Sequence, residues 1–395
     1  MNSHLAVQTA APEISFDRFP LWQGVFDRPG NQRFYPFSIG MNELGFICQK
    51  SGAAVRNKIV EAYGASDYSM PTKPPGASRW ANWLGDLYIS FIEEHVPSMS
   101  GKKVMEIGAG SFYLADHFLR DGGAAEYVIV DPSLRSESED SRITVIRDYF
   151  DDRLEPPGRD SDAIISLNCL EHVSDPFKFL IKANSLLKTG DRRLILVFPD
   201  IETQFRTGDY NALCFEHLNY FSEASANRLI RKAGFSIIAF KKELDTLFYI
   251  LERSGAPDMS PVTERDDDLL RIAAENYKDG LRTIVSVIRD AQQSGRTVAI
   301  HGACNGMNTL FALGGISSDH ILLFDGDETK TGKFIPSCDL PILHASSARY
   351  KEADLVIVAA VTFIEQIRSF LESHHGIPPE RVLPACAATD REQLA

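Results

Sequence analysis

Basic residues are in short supply: 41 Lys and Arg stand against 54 Asp and Glu, a formal charge of −13 over 395 residues. Binding to a phosphate backbone needs clustered Lys and Arg, so this balance argues against a nucleic-acid surface. Long apolar runs are missing too. No stretch approaches the ~20 residues that span a bilayer, and no secretory leader is visible. The six cysteines (48, 169, 214, 304, 338 and 386) are scattered, with no C-x-x-C pair. That spacing excludes a compact disulfide framework or a zinc cluster and predicts reduced thiols in a cytoplasmic protein. Repeats and low-complexity segments are absent. What remains is ordinary globular composition, 44% apolar and 24% charged, in a chain long enough for two or three domains. The first dozen residues are expected to form a disordered tail.

The chain is organised around Lys103 to Leu119. Val104 to Ile107 reads as a buried strand, Gly108-Ala109-Gly110 as a turn, and Leu114, Phe118 and Leu119 as one face of a helix. A strand–glycine turn–helix lets backbone N–H groups approach a ligand closely. Glu106 bears on which ligand. Its carboxylate would repel the pyrophosphate of a dinucleotide but suits S-adenosylmethionine, which carries an ammonium and a sulfonium. The dinucleotide fingerprint G-x-G-x-x-G also fails, because Tyr113 stands where its third glycine belongs.

On either side of this unit the pattern is as follows. Residues 13 to about 75, rich in aromatics, Pro and Gly, predict a small irregular or β-rich region with a helix near Ala53–Tyr63. Trp80, Trp83, Leu84, Leu87, Phe91 and Ile92 predict an amphipathic helix over Gly76–Val96. Strands are expected at 127–131, 143–148, 162–167 and 193–198, helices at 176–188 and 227–233, and a final antiparallel strand pair at 235–240 and 246–251. A linker with Pro257 and Pro261 leads to a long helix over Leu269–Ser294. The alternation then restarts, with strands at 297–301, 321–325 and 354–359, a glycine turn at Gly302–Gly306 and helices at 307–313 and 364–374. Strands alternating with helices imply mostly parallel sheets covered on both faces. The expected domains are 1–75, 76–254, a linker and helix at 255–294, and 295–395.

Chemistry-bearing residues gather at the ends of these strands. Asp131, closing the second strand, can take the ribose hydroxyls of an adenosine. Asp148 can accept the adenine amino group, with Tyr149 against the ring. Asn168 starts the segment after the next strand, where Glu171 and His172 either face a substrate or cap a helix. His217 is the strongest candidate base, since imidazole titrates near neutral pH. Its other reading is packing. Tyr63, Tyr68 and Tyr220 are secondary candidates for lining a pocket. Gly302, Gly306 and Asp325 repeat the nucleotide-site logic or merely define a turn.

Residues 100–250 resemble class I S-adenosylmethionine-dependent methyltransferases through V-M-E-I-G-A-G-S, V-I-V-D131, I-I-S-L-N-C-L-E-H172-V-S-D-P and H217-L-N-Y-F-S-E-A-S. Phe112 stands where that family usually has its third turn glycine. The resemblance implies a Rossmann-like α/β domain whose donor pocket is lined by Glu106, Gly108, Ala109, Gly110, Asp131, Pro132, Asp148, Tyr149 and Asn168. The three-part layout is similar to that of sugar-nucleotide C-methyltransferases, which join an N-terminal zinc region, a catalytic domain and a smaller C-terminal Rossmann-like domain. Only Cys48 remains of the zinc ligands, where a closed site needs four. A metal-free remnant is therefore expected. The same family places a Y-x-E-H element at the sugar. Glu216-His217 matches its last two positions, and Cys214 replaces the tyrosine.

The resulting expectation is methyl transfer from S-adenosylmethionine to a small-molecule acceptor through an O, N or C nucleophile, in specialised or cell-surface metabolism. S-adenosylhomocysteine is the product. His217 is the candidate base, with Glu216, His172 and Tyr220 beside it and Tyr63, Tyr68 and Glu171 toward the substrate. No metal, nucleic acid or membrane partner is expected, and self-association is left open. The rivals are C-methylation of a nucleotide-linked deoxysugar, an NAD(P)-dependent dehydrogenase, and a non-catalytic methyltransferase-like protein.

Overall fold

The computed structural model describes residues 13–30, 32–64, 75–155, 160–187, 190 and 192–386. The expected N-terminal tail and Tyr68 lie outside them.

Three strands open the chain: β1 (Glu13–Pro20), β2 (Phe34–Met41) and β3 (Ile47–Gln49), followed by α1 (Ala53–Gly64). α2 (Arg79–His95) begins later than its apolar pattern suggests, because the Ser78 side chain accepts a hydrogen bond from the Ala81 N–H and sets the N-cap. The central sheet is built from β4 (Lys103–Ile107), β5 (Glu126–Val130), β6 (Ile143–Ile146), β7 (Ala163–Leu167), β8 (Arg193–Pro199), β10 (Phe235–Glu243) and β11 (Thr246–Arg253). Between these strands lie α3 (Tyr113–Arg120), α4 (Pro176–Leu186), α5 (Glu202–Thr207), β9 (Asn219–Tyr220) and α6 (Glu223–Lys232).

The sheet order is β10-β11-β8-β7-β4-β5-β6. β4 to β8 pair in parallel, and β11 runs antiparallel to both its neighbours. Continuous apolar runs such as Val104–Ile107 suit this sheet because both of its faces are buried. One face packs under α4 and α6 through Leu180, Leu229 and Phe235, the other under α2 and α3 through Ile92, Phe118 and Phe248. From β4 the chain winds outward to β5 and β6, then returns to β7 on the opposite side. That reversal places a crevice beyond the carboxyl ends of β4 and β7.

β9 leaves this domain and pairs with β3, completing a four-stranded sheet ordered β1-β2-β3-β9. The N-terminal region is thereby sewn to the segment that carries His217.

α7 (Asp267–Gln293) spans two cores. Leu269, Leu270, Ala273 and Tyr277 pack on the N-terminal sheet, and Ile284, Val285, Ile288 and Ala291 on the last domain. That domain comprises β12 (Val298–His301), α8 (Asn305–Gly314), β13 (Ile321–Asp325), β14 (Ile342–His344), β15 (Leu355–Val358), α9 (Ile364–His375) and β16 (Val382–Pro384). Its sheet, β14-β13-β12-β15-β16, is wholly parallel. No helix among the described residues is long and apolar enough to cross a membrane.

The C-terminal domain grips the segment just before His217. The Asn211 side chain accepts from the Gly306 N–H at 2.8 Å and donates to the Ala359 carbonyl at 2.6 Å. The Asn305 side chain donates to the Tyr210 and Leu213 carbonyls. Replacing Asn211 by alanine strands the buried Gly306 N–H and the Ala359 carbonyl. The expected loss is about 2–4 kcal/mol of stability, read from urea denaturation, with the urea slope unchanged.

Candidate functional site

The glycine turn is bound to the end of the second strand. Gly108 and Gly110 both adopt positive φ, 77° and 65°, which L side chains rarely tolerate. The Gly110 N–H donates to Asp131 Oδ2 at 2.7 Å. Asp131 Oδ1 accepts from the Ser133 N–H and hydroxyl and from the Leu134 N–H. Only 3% of Asp131 is exposed. Asp131 is thus a structural clamp on the turn as well as a carboxylate at its rim. Phe112, in the family's glycine position, has φ −92° and serves as the N-cap residue of α3, so no glycine is needed there.

Glu106 differs from its expected state. It is 3% exposed, and the Tyr127 hydroxyl donates to its Oε2 at 2.8 Å. Burial is the main cause that pushes its pKa up to about 8; the Tyr127 bond opposes this and the nearby Asp131 charge adds to it. In the chain alone this side chain is a neutral acid at pH 7, not a waiting negative charge.

Opposite the turn lies the segment after β7. Asn168 sits at φ 48°, and its side-chain amide donates to the Tyr88 hydroxyl at 2.9 Å. A Cβ placed on Gly108 would come within 3.0 Å of Cys169 Sγ, so the glycine preserves room where the two strand ends face each other. Burial raises the Cys169 thiol to about 12, leaving it unreactive. Asp148 is exposed just past β6, where its carboxylate accepts from the Tyr149 N–H, and the Tyr149 ring is 62% exposed. Strand β6 ends at Ile146, short of the expected Asp148, because its partner β5 itself ends at Val130. Pro132 is partly exposed beside Asp131.

Leu170–His172 is a short 3-10 turn, which brings Glu171 and His172 against His217. The Leu218 N–H donates to the Glu171 carbonyl at 2.8 Å. His172 Nδ1 lies 2.9 Å from the Glu216 carbonyl, and the His172 and His217 rings meet edge to face at 5.0 Å. His217 keeps part of its surface open. Desolvation, and secondarily His172, lowers its pKa to about 3, so the ring is neutral at physiological pH. Glu171 is buried, which raises its pKa, while His172 opposes the rise.

Some expectations need correction. Tyr220 does not line a pocket: it is fully buried in the N-terminal core, its hydroxyl donates to the Cys214 carbonyl, and its ring backs His217. Glu216 reaches His172 through its backbone carbonyl. Tyr63 falls in α1, but its side chain, like all of Tyr68, lies outside the described residues. Gln49 is a positioning residue that sequence reasoning missed: its amide is shared among the Cys214, Phe215 and His217 carbonyls. Tyr88 was missed as well. Nothing local marks Gln49; Tyr88 falls in the same helical stripe as Leu84 and Phe91.

The C-terminal domain repeats the turn device with its own cation. The Ala303 N–H donates to Asp325 Oδ2 at 2.7 Å, and Lys330 reaches the same oxygen at 3.0 Å. Lys330 thus pairs with the acid that closes β13.

Comparison with known proteins agrees with this geometry. Residues 80–239 match the family described as a methyltransferase domain, and residues 269–376 the C-methyltransferase C-terminal domain. The chain thus carries a methyltransferase domain followed by a C-methyltransferase C-terminal domain. A ubiquinone biosynthesis O-methyltransferase from Xylella fastidiosa is 27% identical over 31% of this chain and 52% of its own length. One from Azotobacter vinelandii is 30% identical over 27% of this chain and 48% of its own. The chain thus spans about half the length of these curated relatives. A solved S-adenosylmethionine-dependent methyltransferase from Mesorhizobium loti aligns with a TM-score of 0.36 at 14% identity, covering 42% of this chain and 96% of that one. The methyltransferase-domain reading of the sequence and its Rossmann-like fold hold.

Proposed function

We propose that the protein transfers a methyl group from S-adenosylmethionine to a small-molecule acceptor. The observation that carries this is the pair of buried acids, Glu106 and Asp131, beside a glycine turn at the sheet's reversal point. Such a site suits a cationic adenosine derivative better than a pyrophosphate. Bound there, the donor supplies an electrophilic methyl carbon. Gly108, Ala109 and Gly110 let backbone N–H groups come close to it. Asp131 and Pro132 form the ribose side, and Asp148 and Tyr149 the adenine side. Asn168, held by Tyr88, closes the opposite edge.

Glu171, His172 and His217 form the acceptor wall. Their task is to hold the nucleophile in line at near-contact distance, which can supply much of the acceleration. His217, neutral and fixed by Gln49 through its carbonyl, is the proton acceptor for a hydroxyl, amine or enol. Replacing it by alanine is expected to leave donor affinity within about two-fold and to lower turnover by roughly ten-fold or more, less than the 10²–10⁴-fold of a base that titrates near neutral pH, because burial makes this ring a weaker base. Unchanged turnover returns His217 to packing.

The C-methyltransferase C-terminal domain favours carbon as the accepting atom and keeps a nucleotide-linked sugar as the second reading. Incubation with methyl-labelled S-adenosylmethionine and panels of phenolic, carboxylate and sugar-nucleotide acceptors tests both. Acceptor-dependent release of S-adenosylhomocysteine supports the proposal; a label that stays on the donor with every acceptor counts against it.

A further inference from the structure

The acceptor wall contains an oxygen that the described residues leave unanswered. Glu171 is 3% exposed, and its buried Oε2 has no hydrogen-bond partner among the described residues. A buried carboxylate oxygen without a partner is costly, and such groups are normally paired or bound to a metal. Its nearest cluster consists of ligand types. One donor atom each from Glu171, His172 and His217 fall within 4.8 Å of one another.

The tautomer of His172 is set for coordination. A carbonyl can only accept, so the contact of Nδ1 with the Glu216 carbonyl at 2.9 Å places the hydrogen on Nδ1. In the neutral ring Nε2 then carries the lone pair, 3.7 Å from Glu171 Oε1. Metal-ligating histidines characteristically donate their other nitrogen to a carbonyl or carboxylate in this way. The framework is also fixed across two segments: Leu218 donates to the Glu171 carbonyl, and Gln49 holds the His217 carbonyl.

We propose that Glu171, His172 and His217 bind one divalent transition-metal ion, such as zinc, cobalt, iron(II) or manganese. One carboxylate and two imidazoles leave coordination positions open, as catalytic rather than structural sites do. Ligand atoms about 2.1 Å from one ion lie at most about 4.2 Å apart, so the cluster must contract by under about an ångström. The exposed His172 ring can supply that movement. The open positions would take an acceptor oxygen and lower its pKa, so that its proton leaves to solvent and His217, with its nitrogen on the ion, would no longer be the base. That use rests on the methyl-transfer reading; binding of the ion does not. The proposed ligand set does not include Cys48, the one cysteine left of the expected zinc remnant, and it departs from the expectation of a metal-free protein.

The test uses the full-length protein, stripped with a chelator and titrated with Co²⁺ alone, with S-adenosylhomocysteine binding measured on the same samples. The proposal expects a visible d–d absorption that saturates at one equivalent and is displaced by Zn²⁺. Glu171→Gln and His172→Ala should each weaken Co²⁺ binding at least ten-fold with far-UV circular dichroism unchanged. Because His172 is exposed, its variant tests the ligand set without opening the core. A wild-type protein that binds S-adenosylhomocysteine but shows only the spectrum of aqueous Co²⁺ overturns the proposal. So does a saturating band that survives in both variants, which would place the metal elsewhere. Co²⁺ binding without S-adenosylhomocysteine binding would leave the metal site standing and remove the donor reading instead.

Discussion

Replacing Asp131 by alanine is expected to weaken S-adenosylhomocysteine binding by ten-fold or more, at least about 1.4 kcal/mol. Two losses combine. The ribose side of the proposed pocket loses its carboxylate. The Gly110 and Leu134 N–H groups also lose their acceptor, and an unsatisfied buried donor such as that of Leu134 costs about 1–3 kcal/mol. The glycine turn, held at positive φ, then has less to define it. Asp131→Asn separates the two effects. Its remaining oxygen can serve Ser133 and Leu134, while its amide cannot accept from Gly110. Calorimetry should place the asparagine variant between wild type and alanine. Wild-type affinity in the alanine variant would contradict the ribose assignment.

Glu106→Gln is expected to weaken donor binding and yet stabilise the chain at alkaline pH. With a pKa raised from 4.5 to about 8, Glu106 keeps a proton in the native state that the unfolded chain releases above pH 4.5. Its stabilising contribution is therefore complete below pH 4.5 and is lost as pH rises to about 8. Glutamine removes that dependence. It should recover on the order of 3 kcal/mol near pH 8, read from urea midpoints at pH 5 and pH 8.5. An ammonium brought beside Glu106 draws off the proton. Wild-type binding of S-adenosylhomocysteine at pH 7 should then release up to one proton, visible as a dependence of the binding heat on buffer ionisation. The variant should show no such release. A wild-type heat independent of buffer would mean that Glu106 does not meet the ammonium.

What was legible in the sequence follows from locality. The apolar run Val104–Ile107, the two glycines and the apolar face of α3 lie within one short segment, so strand, turn and helix could be read there directly. The second glycine turn and the parallel alternation were legible for the same reason. Helix starts were less so where a side-chain cap decides them: Ser78 starts α2 at Arg79 rather than at the expected Gly76. The character of the site depended on distant partners. The protonation of Glu106 is set by Tyr127 and the surrounding core, which the residue type cannot reveal. Glu171, His172 and His217 meet because β9 leaves its own domain to pair with β3, a long-range choice without a periodic signal. Gln49 holds the His217 segment from the N-terminal sheet, and Asn305 holds its start from the C-terminal domain. Tyr220 looked like a pocket residue because it is near His217 in sequence. Its ring instead packs into the N-terminal core, with the hydroxyl bound to the Cys214 carbonyl.

The most direct test is calorimetric titration of the full-length protein with S-adenosylhomocysteine, beside NADH and a pyrimidine sugar nucleotide. The account predicts saturable binding of S-adenosylhomocysteine at one equivalent and none of NADH. Added binding of the sugar nucleotide would move the acceptor toward a nucleotide-linked sugar without disturbing the donor site. No heat with S-adenosylhomocysteine, and saturable binding of NADH in its place, would contradict the central claim and make the chain a dinucleotide enzyme.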